Sequence, residues 1–260
     1  MLEVTSADGT RIGCEVDGAG PALLLVHGST ADRHRWAAVR AALAERFTLV
    51  LMDRRGRGLS GDGPGERYAL GREAADVAAV LAELGPEASV LAHSYGGSCA
   101  LEAVATGARA ARLLVYEPAF GTPEGPVFPL AALAAVEAAL ARGDREPALE
   151  TFFADVLLLD EAAIAPMRGT PMWQARVAAA PTLAREARAA NAFRPRAGEV
   201  GMPVRFLLGT ETTPPLARAA RAAHAAVPGS SLRELPGHGH AAMDTGPDLF
   251  VAEVVAWLSG

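Results

Sequence analysis

Residues 88–93 read Ala-Ser-Val-Leu-Ala-His, an apolar run of strand type, and the chain then turns at Ser94 straight into a stretch of helical spacing, residues 98–105. A strand that becomes a helix with no loop between them must lie in a sheet onto which that helix folds back. The serine at such a corner is pushed out of the sheet edge with its hydroxyl exposed. Behind it the first turn of the helix has free backbone N–H groups, which can hold a negative oxygen. Taken alone, a serine in this position also fits an ordinary strand–turn–helix with a capping serine.

The rest of the chain repeats the strand–helix alternation. Strands are expected over residues 2–6, 11–16, 21–26, 47–52, 113–116, 204–208 and 232–235, and helices over 33–46, 70–84 and 248–258. The run 21–26 is continuously apolar, as in a strand buried on both faces. Alternation of this kind predicts an α/β fold with a mostly parallel central sheet and helices on both faces. Polar motifs follow the strand ends: His27-Gly28-Ser29-Thr30, Asp53-Arg54-Arg55-Gly56-Arg57-Gly58-Leu59-Ser60, Glu117-Pro118 and Gly237-His238-Gly239-His240. They converge on one rim, where ligands bind in such sheets. Between Phe120 and Gly201 the alternation stops and three helical segments are expected, over 130–142, 147–159 and 173–190. The reading is therefore a core of residues 1–119 and 201–260 with an inserted helical cap, 120–200.

Composition excludes several chemistries. All 24 basic residues are arginine and no lysine occurs, which rules out Schiff-base and pyridoxal-phosphate enzymes and a Walker-A phosphate loop. A net charge of −6 argues against nucleic acid or an anionic membrane as partner. Cys14 and Cys99 are far apart in sequence and read as buried free thiols. The N-terminus has no basic region followed by an apolar run, and no stretch is long enough to span a membrane. A cytoplasmic protein, monomer or homodimer, without metal or cofactor is expected; its abundant alanine fits a GC-rich bacterial source.

The corner Ala92-His93-Ser94-Tyr95-Gly96, the His27-Gly28 pair, the Asp53–Ser60 turn and the Gly237–His240 loop together resemble the α/β-hydrolase family, in the right order. The resemblance covers residues 11–117 and 203–258. The corner departs from the usual Gly-x-Ser-x-Gly by having Ala92 in the first position. A serine hydroxyl needs a general base, and the base needs an orienting carboxylate. The resemblance implies Ser94 as nucleophile, His240 as base, and the backbone N–H groups of Ser29 and Tyr95 as oxyanion hole. His93 and His27 read as structural, and His238 as solvated. For the acid, the usual aspartate after the seventh strand is missing, and its commonest site is Thr212. Glu117 and Glu211 remain. Glu117 is favoured, because some haloalkane dehalogenases and related subgroups carry the acid after strand six.

Dehalogenases and epoxide hydrolases use a carboxylate nucleophile where this chain has Ser94. The serine points to attack on a small to medium, largely apolar carboxylic ester, thioester or lactone. A cofactor-free perhydrolase or lyase, or a non-catalytic binding protein on the same fold, are the alternatives. In the cap, Phe128, Leu133, Phe152, Phe153, Val156, Leu157, Met167, Met172 and Trp173 are expected to pack together and roof an apolar pocket. Arg168 and Arg176 could meet an anionic substrate but are expected on its solvated face.

Overall fold

A computed structural model describes residues 1–63, 68–196, 198 and 200–259. Eight strands form one sheet: β1 (Leu2–Thr5), β2 (Arg11–Asp17), β3 (Ala22–Val26), β4 (Thr48–Met52), β5 (Ser89–His93), β6 (Leu113–Tyr116), β7 (Val204–Gly209) and β8 (Ser231–Leu235). Their spatial order is β1-β2-β4-β3-β5-β6-β7-β8. β1 and β2 join antiparallel, and every pairing from β4 through β8 is parallel. Leu23, Leu24, Leu25 and Val26 of β3 are fully buried, which is why that strand carries no polar alternation. The edge strand β8 instead exposes Arg233 and Glu234, charges that discourage pairing with another chain.

The core helices are α1 (Ala37–Ala44), α2 (Leu70–Leu84) and α3 (Tyr95–Ala105) in the first half of the chain. In the second half they are α9 (Pro214–Ala226), α10 (Ala242–Thr245) and α11 (Pro247–Leu258). Leu23, Leu25, Leu49 and Leu51 pack on one sheet face with Val39, Leu43, Phe250 and Val254 of α1 and α11. Leu24, Val26, Val50 and Val90 face the other way, toward Val77, Val80 and Leu81 of α2 and Cys99 and Ala103 of α3. Cys14 and Cys99 are both free and buried; burial pushes the Cys14 thiol up to about 12.

Between β6 and β7 lie α4 (Leu130–Ala141), α5 (Arg145–Thr151), α6 (Glu161–Ile164), α7 (Pro171–Ala179) and α8 (Leu183–Ala192). Three expected helices are broken. The first, 33–46, starts as a 3₁₀ turn, Arg33–Trp36, which the Asp32 side chain caps by accepting from His34 N at 2.8 Å. The second, 147–159, ends α5 in a π-turn, Phe152–Val156. The third, 173–190, is split by a 3₁₀ turn, Ala180–Thr182; Pro181 removes an N–H and cannot sit inside a helix. α8 packs against α2, α3 and α4, bringing one side of this helical segment down onto the sheet rim. No described helix is long and apolar enough to cross a membrane.

Candidate active site

Ser94 follows β5 with φ 56° and ψ −126°, a left-handed conformation that costs a side-chain-bearing residue about 1–3 kcal/mol. Its neighbours hold it there. The Ser94 N–H donates to Tyr116 O at 2.9 Å, and Ser94 O accepts from Gly97 N at 2.9 Å and Ala119 N at 3.2 Å. The helix behind it comes very close to the sheet. A Cβ on Gly96 would stand 2.3 Å from His27 O, and one on Gly97 2.7 Å from Val115 Cγ1. Both positions therefore admit only glycine. Ala92 sits in register between Val26 and Val115 with its methyl group fully buried, so this corner does accommodate a Cβ where the family pattern has glycine.

Glu117 terminates β6 at φ 45° and is completely buried. One oxygen, Oε1, accepts from Gly209 N at 2.7 Å. The other, Oε2, accepts from Thr212 Oγ1 at 2.7 Å and meets His240 Nδ1 at 2.5 Å. A carboxylate can only accept, so Nδ1 carries the proton and His240 presents Nε2 outward. Among the described residues Nε2 has no hydrogen-bond partner. The Glu211 side chain makes no hydrogen bond among the described residues; only its N–H is engaged, with His238 O at 2.9 Å. Of the two glutamates left open by the sequence, Glu117 is the one joined to the histidine.

The His240 loop is fixed from below. His93 Nε2 lies 2.9 Å from His240 O, its ring 4.4 Å from the His240 ring, and Tyr116 OH donates to Gly239 O. Burial, then the neighbouring His240 and Arg35, pushes His93 well below the usual histidine range. His93 is therefore a neutral platform, as its structural reading required. His238 bonds Thr245 Oγ1 at 2.9 Å, on the outer side of the loop.

On the opposite side of Ser94, the loop after β3 comes within contact. A Cβ on Gly28 would stand 2.8 Å from Ser94 Cβ. His27 shapes this loop: Nδ1 donates to Gly28 O at 2.8 Å while Nε2 accepts from Arg54 N at 3.1 Å. Burial, then Arg54 and Arg57, keeps the His27 ring neutral. Among the described residues, the Ser29 and Tyr95 N–H groups donate to no protein acceptor. Thr30, Ser94 and Glu117, at φ 62°, 56° and 45°, are three of the four described non-glycine residues with left-handed backbone. Strain thus concentrates around this corner.

A buried charge network that the sequence did not reveal braces the site. Arg54 holds Glu73 through two hydrogen bonds of 2.7 Å. Its Nη2 lies 3.0 Å from Glu186 of α8. Glu186 is fully buried, accepts from Ser29 Oγ at 2.9 Å, and pairs with Arg57. Tyr95 OH meets Tyr68 OH at 2.7 Å, and Tyr68 OH donates to Glu73 at 2.5 Å. Asp53 holds its own turn, accepting from Arg33 N at 2.7 Å and Leu59 N at 2.8 Å.

A cleft of about 520 Å³ opens between α7 and the loops after β3 and β4. Its walls include Thr30, Arg35, Arg57, Met172 and Arg176. The expected apolar roof is mostly internal packing: Leu133, Phe152, Phe153 and Trp173 are fully or almost fully buried, and of the nine residues in that group only Met172 lines the cleft. Arg168 is on the surface, paired with Glu150 and Glu161. Arg176 is half-buried in the cleft wall, with its Nε enclosed and without a partner among the described residues.

The alpha/beta hydrolase family matches residues 23–253, so the chain belongs to that family. An alpha/beta hydrolase from Sphaerobacter thermophilus superposes with a TM-score of 0.83 at 31% identity, covering 98% of this chain and 99% of that one. An esterase from Rhodococcus sp. ECU1013 gives 0.76 at 28% identity, covering 100% and 98%. By sequence, N-formylmaleamate deformylase from Pseudomonas putida is 38% identical over 114 residues, 43% of this chain and 42% of that protein. The chain thus spans less than half the length of the curated relatives it matches.

Proposed function

We propose that the chain is a serine hydrolase of carboxylic esters, thioesters or lactones, working through an acyl-enzyme on Ser94. The observation that carries this is the 2.5 Å contact between His240 Nδ1 and the buried Glu117 carboxylate, on the same rim as a strained serine flanked by two unused backbone N–H groups. Glu117 keeps His240 in the tautomer whose Nε2 is a base. His240 takes the Ser94 proton as Oγ attacks the acyl carbon and returns it to the leaving group. The N–H groups of Ser29 and Tyr95 receive the oxyanion that develops in between. Water, activated by the same ring, then releases the acid. The helical segment between β6 and β7 acts as a cap over the substrate.

A serine nucleophile also decides between family chemistries. Displacement at an alkyl carbon would leave an ether on Ser94 that water cannot release under these conditions, whereas an acyl ester turns over. A relative named as an esterase supports the ester reading. The relative named as a deformylase supports the acyl centre more broadly.

The test is hydrolysis of 4-nitrophenyl butyrate together with labelling by a fluorophosphonate. Turnover and labelling that both vanish in Ser94→Ala support the reading. A wild-type protein that neither turns over the ester nor takes the label sinks it.

A further inference from the structure

The cleft beside α7 is lined by three arginines, Arg35, Arg57 and Arg176, against two aspartates, Asp32 and Asp62. Four of these charges are already engaged. Arg35 Nη1 donates to Asp244 at 2.7 Å, Arg57 pairs with Glu186, Asp62 pairs with Arg185, and Asp32 caps the turn at His34. Among the described residues Arg176 has no carboxylate partner. Its Nη1 and Nη2 face the thioethers of Met167 at 3.6 Å and Met172 at 3.3 Å. Its guanidinium stands 5.3 Å from the centre of the Phe153 ring, and its Nε is buried without a partner.

Sulfur and a ring face orient a guanidinium without neutralising it. A guanidinium whose donors meet only weak sulfur acceptors can exchange them for a carboxylate, which its planar fork suits. Burial, then repulsion from Arg35, pushes Arg176 down to about 10, so it is still a cation at neutral pH.

The cleft borders the loop after β3 and is linked to the histidine loop through Arg35. Thr30, in its wall, follows Ser29, whose N–H serves the oxyanion. Arg35, also in its wall, is tied to Asp244 and Met243, just beyond His240. Ser94 and His240 do not themselves line the cleft; the loop carrying Thr30 and Arg35 is what links it to the serine.

We propose that Arg176 is a specificity residue that binds a carboxylate at the distal end of the substrate, so that the preferred substrates are monoanionic acyl compounds. This rests on the serine hydrolase reading for the acyl end only. It narrows the largely apolar substrate expected from the sequence to one that is charged at its tip.

The experiment compares mono-4-nitrophenyl glutarate with 4-nitrophenyl butyrate, and measures glutarate binding by calorimetry in the wild type and in Ser94→Ala. The expected result is that the wild type prefers the anionic ester. Arg176→Gln then lowers that preference by about tenfold to a hundredfold, through KM. Arg176→Lys, which keeps the charge and loses the fork, falls between the two. Arg168→Gln, at a surface arginine already paired, leaves the preference as it is. Glutarate binds both wild type and Ser94→Ala and weakens in Arg176→Gln. The proposal is overturned by a wild type that favours the neutral ester, by a folded Arg176→Gln with unchanged preference, or by glutarate that does not bind. Glutarate binding with no turnover of either ester supports the carboxylate site and overturns the hydrolase reading instead.

Discussion

Ser29 Oγ donates a 2.9 Å hydrogen bond to Glu186 Oε2, linking the loop after β3 to a helix 157 residues further along the chain. Glu186 is fully buried and also pairs with Arg54 and Arg57. One carboxylate from α8 thus sets the position of the loop whose N–H is assigned to the oxyanion. Glu186→Gln keeps the shape and removes the charge. We expect kcat for 4-nitrophenyl butyrate to fall about tenfold or more as the loop loosens. Stability is expected to drop by about 3–5 kcal/mol, the range for breaking a buried ion pair. Wild-type kcat in a variant with a lowered melting temperature would reduce Glu186 to a purely structural brace.

Glu117→Gln is the decisive substitution for the acid. Glutamine still fits among Gly209 N, Thr212 Oγ1 and His240 Nδ1 but turns a charge into a dipole. It also admits the wrong imidazole tautomer. We expect kcat to fall about 10⁴-fold, as when a triad carboxylate becomes an amide. Glu211→Gln is expected to retain wild-type kcat, since no described hydrogen bond depends on that side chain. The reverse pattern would move the acid to the loop after β7.

Gly28 offers a geometric test of the oxyanion loop. An added methyl would sit 2.8 Å from Ser94 Cβ and 3.4 Å from His93 Nδ1. Neither neighbour is the free end of a flexible chain, so the loop must retreat and take the Ser29 N–H with it. Gly28→Ala is expected to cost about 10²–10³ in kcat, the size of one lost oxyanion donor, with substrate KM changed far less. A kcat within twofold of wild type would show that the Ser29 N–H is not the donor.

The two buried histidines predict acid sensitivity. His27 and His93 are held well below the usual range, first by burial and then by neighbouring charges. The unfolded chain protonates both rings near pH 6.5 while the folded chain does not. Stability is therefore full above about pH 6.5 and declines as the pH falls below it, by about 1.4 kcal/mol per pH unit for each ring. Chemical denaturation at pH 7.5, 6.0 and 5.0 is expected to show this slope, and His93→Gln to reduce it. A flat profile across that window would mean that the rings are charged in the folded state.

What the sequence revealed follows from how locally each feature is encoded. β3 and β5 are legible because burial on both faces demands an unbroken apolar run. The serine corner is legible because strand, turn and helix are contiguous. The acid was legible only as a choice between two glutamates. What separates them is the register of β6 on β7, which places the Glu117 N–H 3.1 Å from Leu207 O and its carboxylate beside Gly209 and Thr212. Glu186 gave no signal at all: an acidic residue on an alanine-rich amphipathic helix looks solvated until the helix is docked. The half-buried setting of Arg176 was hidden for the same reason, since alanine on every face obscures which side of α7 borders the cleft. The break at Pro181 was readable from the proline itself and was masked by the helical composition around it.

The hydroxyl of Thr212 and the carboxylate of Glu117 meet at 2.7 Å, so two positions just beyond the ends of neighbouring strands look into one seat for negative charge. A lineage moving that charge from one position to the other must pass through one of two ancestors. In the first, both positions are carboxylates at hydrogen-bond distance, repelling each other until one takes up a proton. In the second, neither is, and the imidazole is unanchored. The first keeps only one of its two charges, and the second gives the histidine no anion to face. The seat therefore has room for one carboxylate at a time, with a hydroxyl such as that of Thr212 as its neighbour.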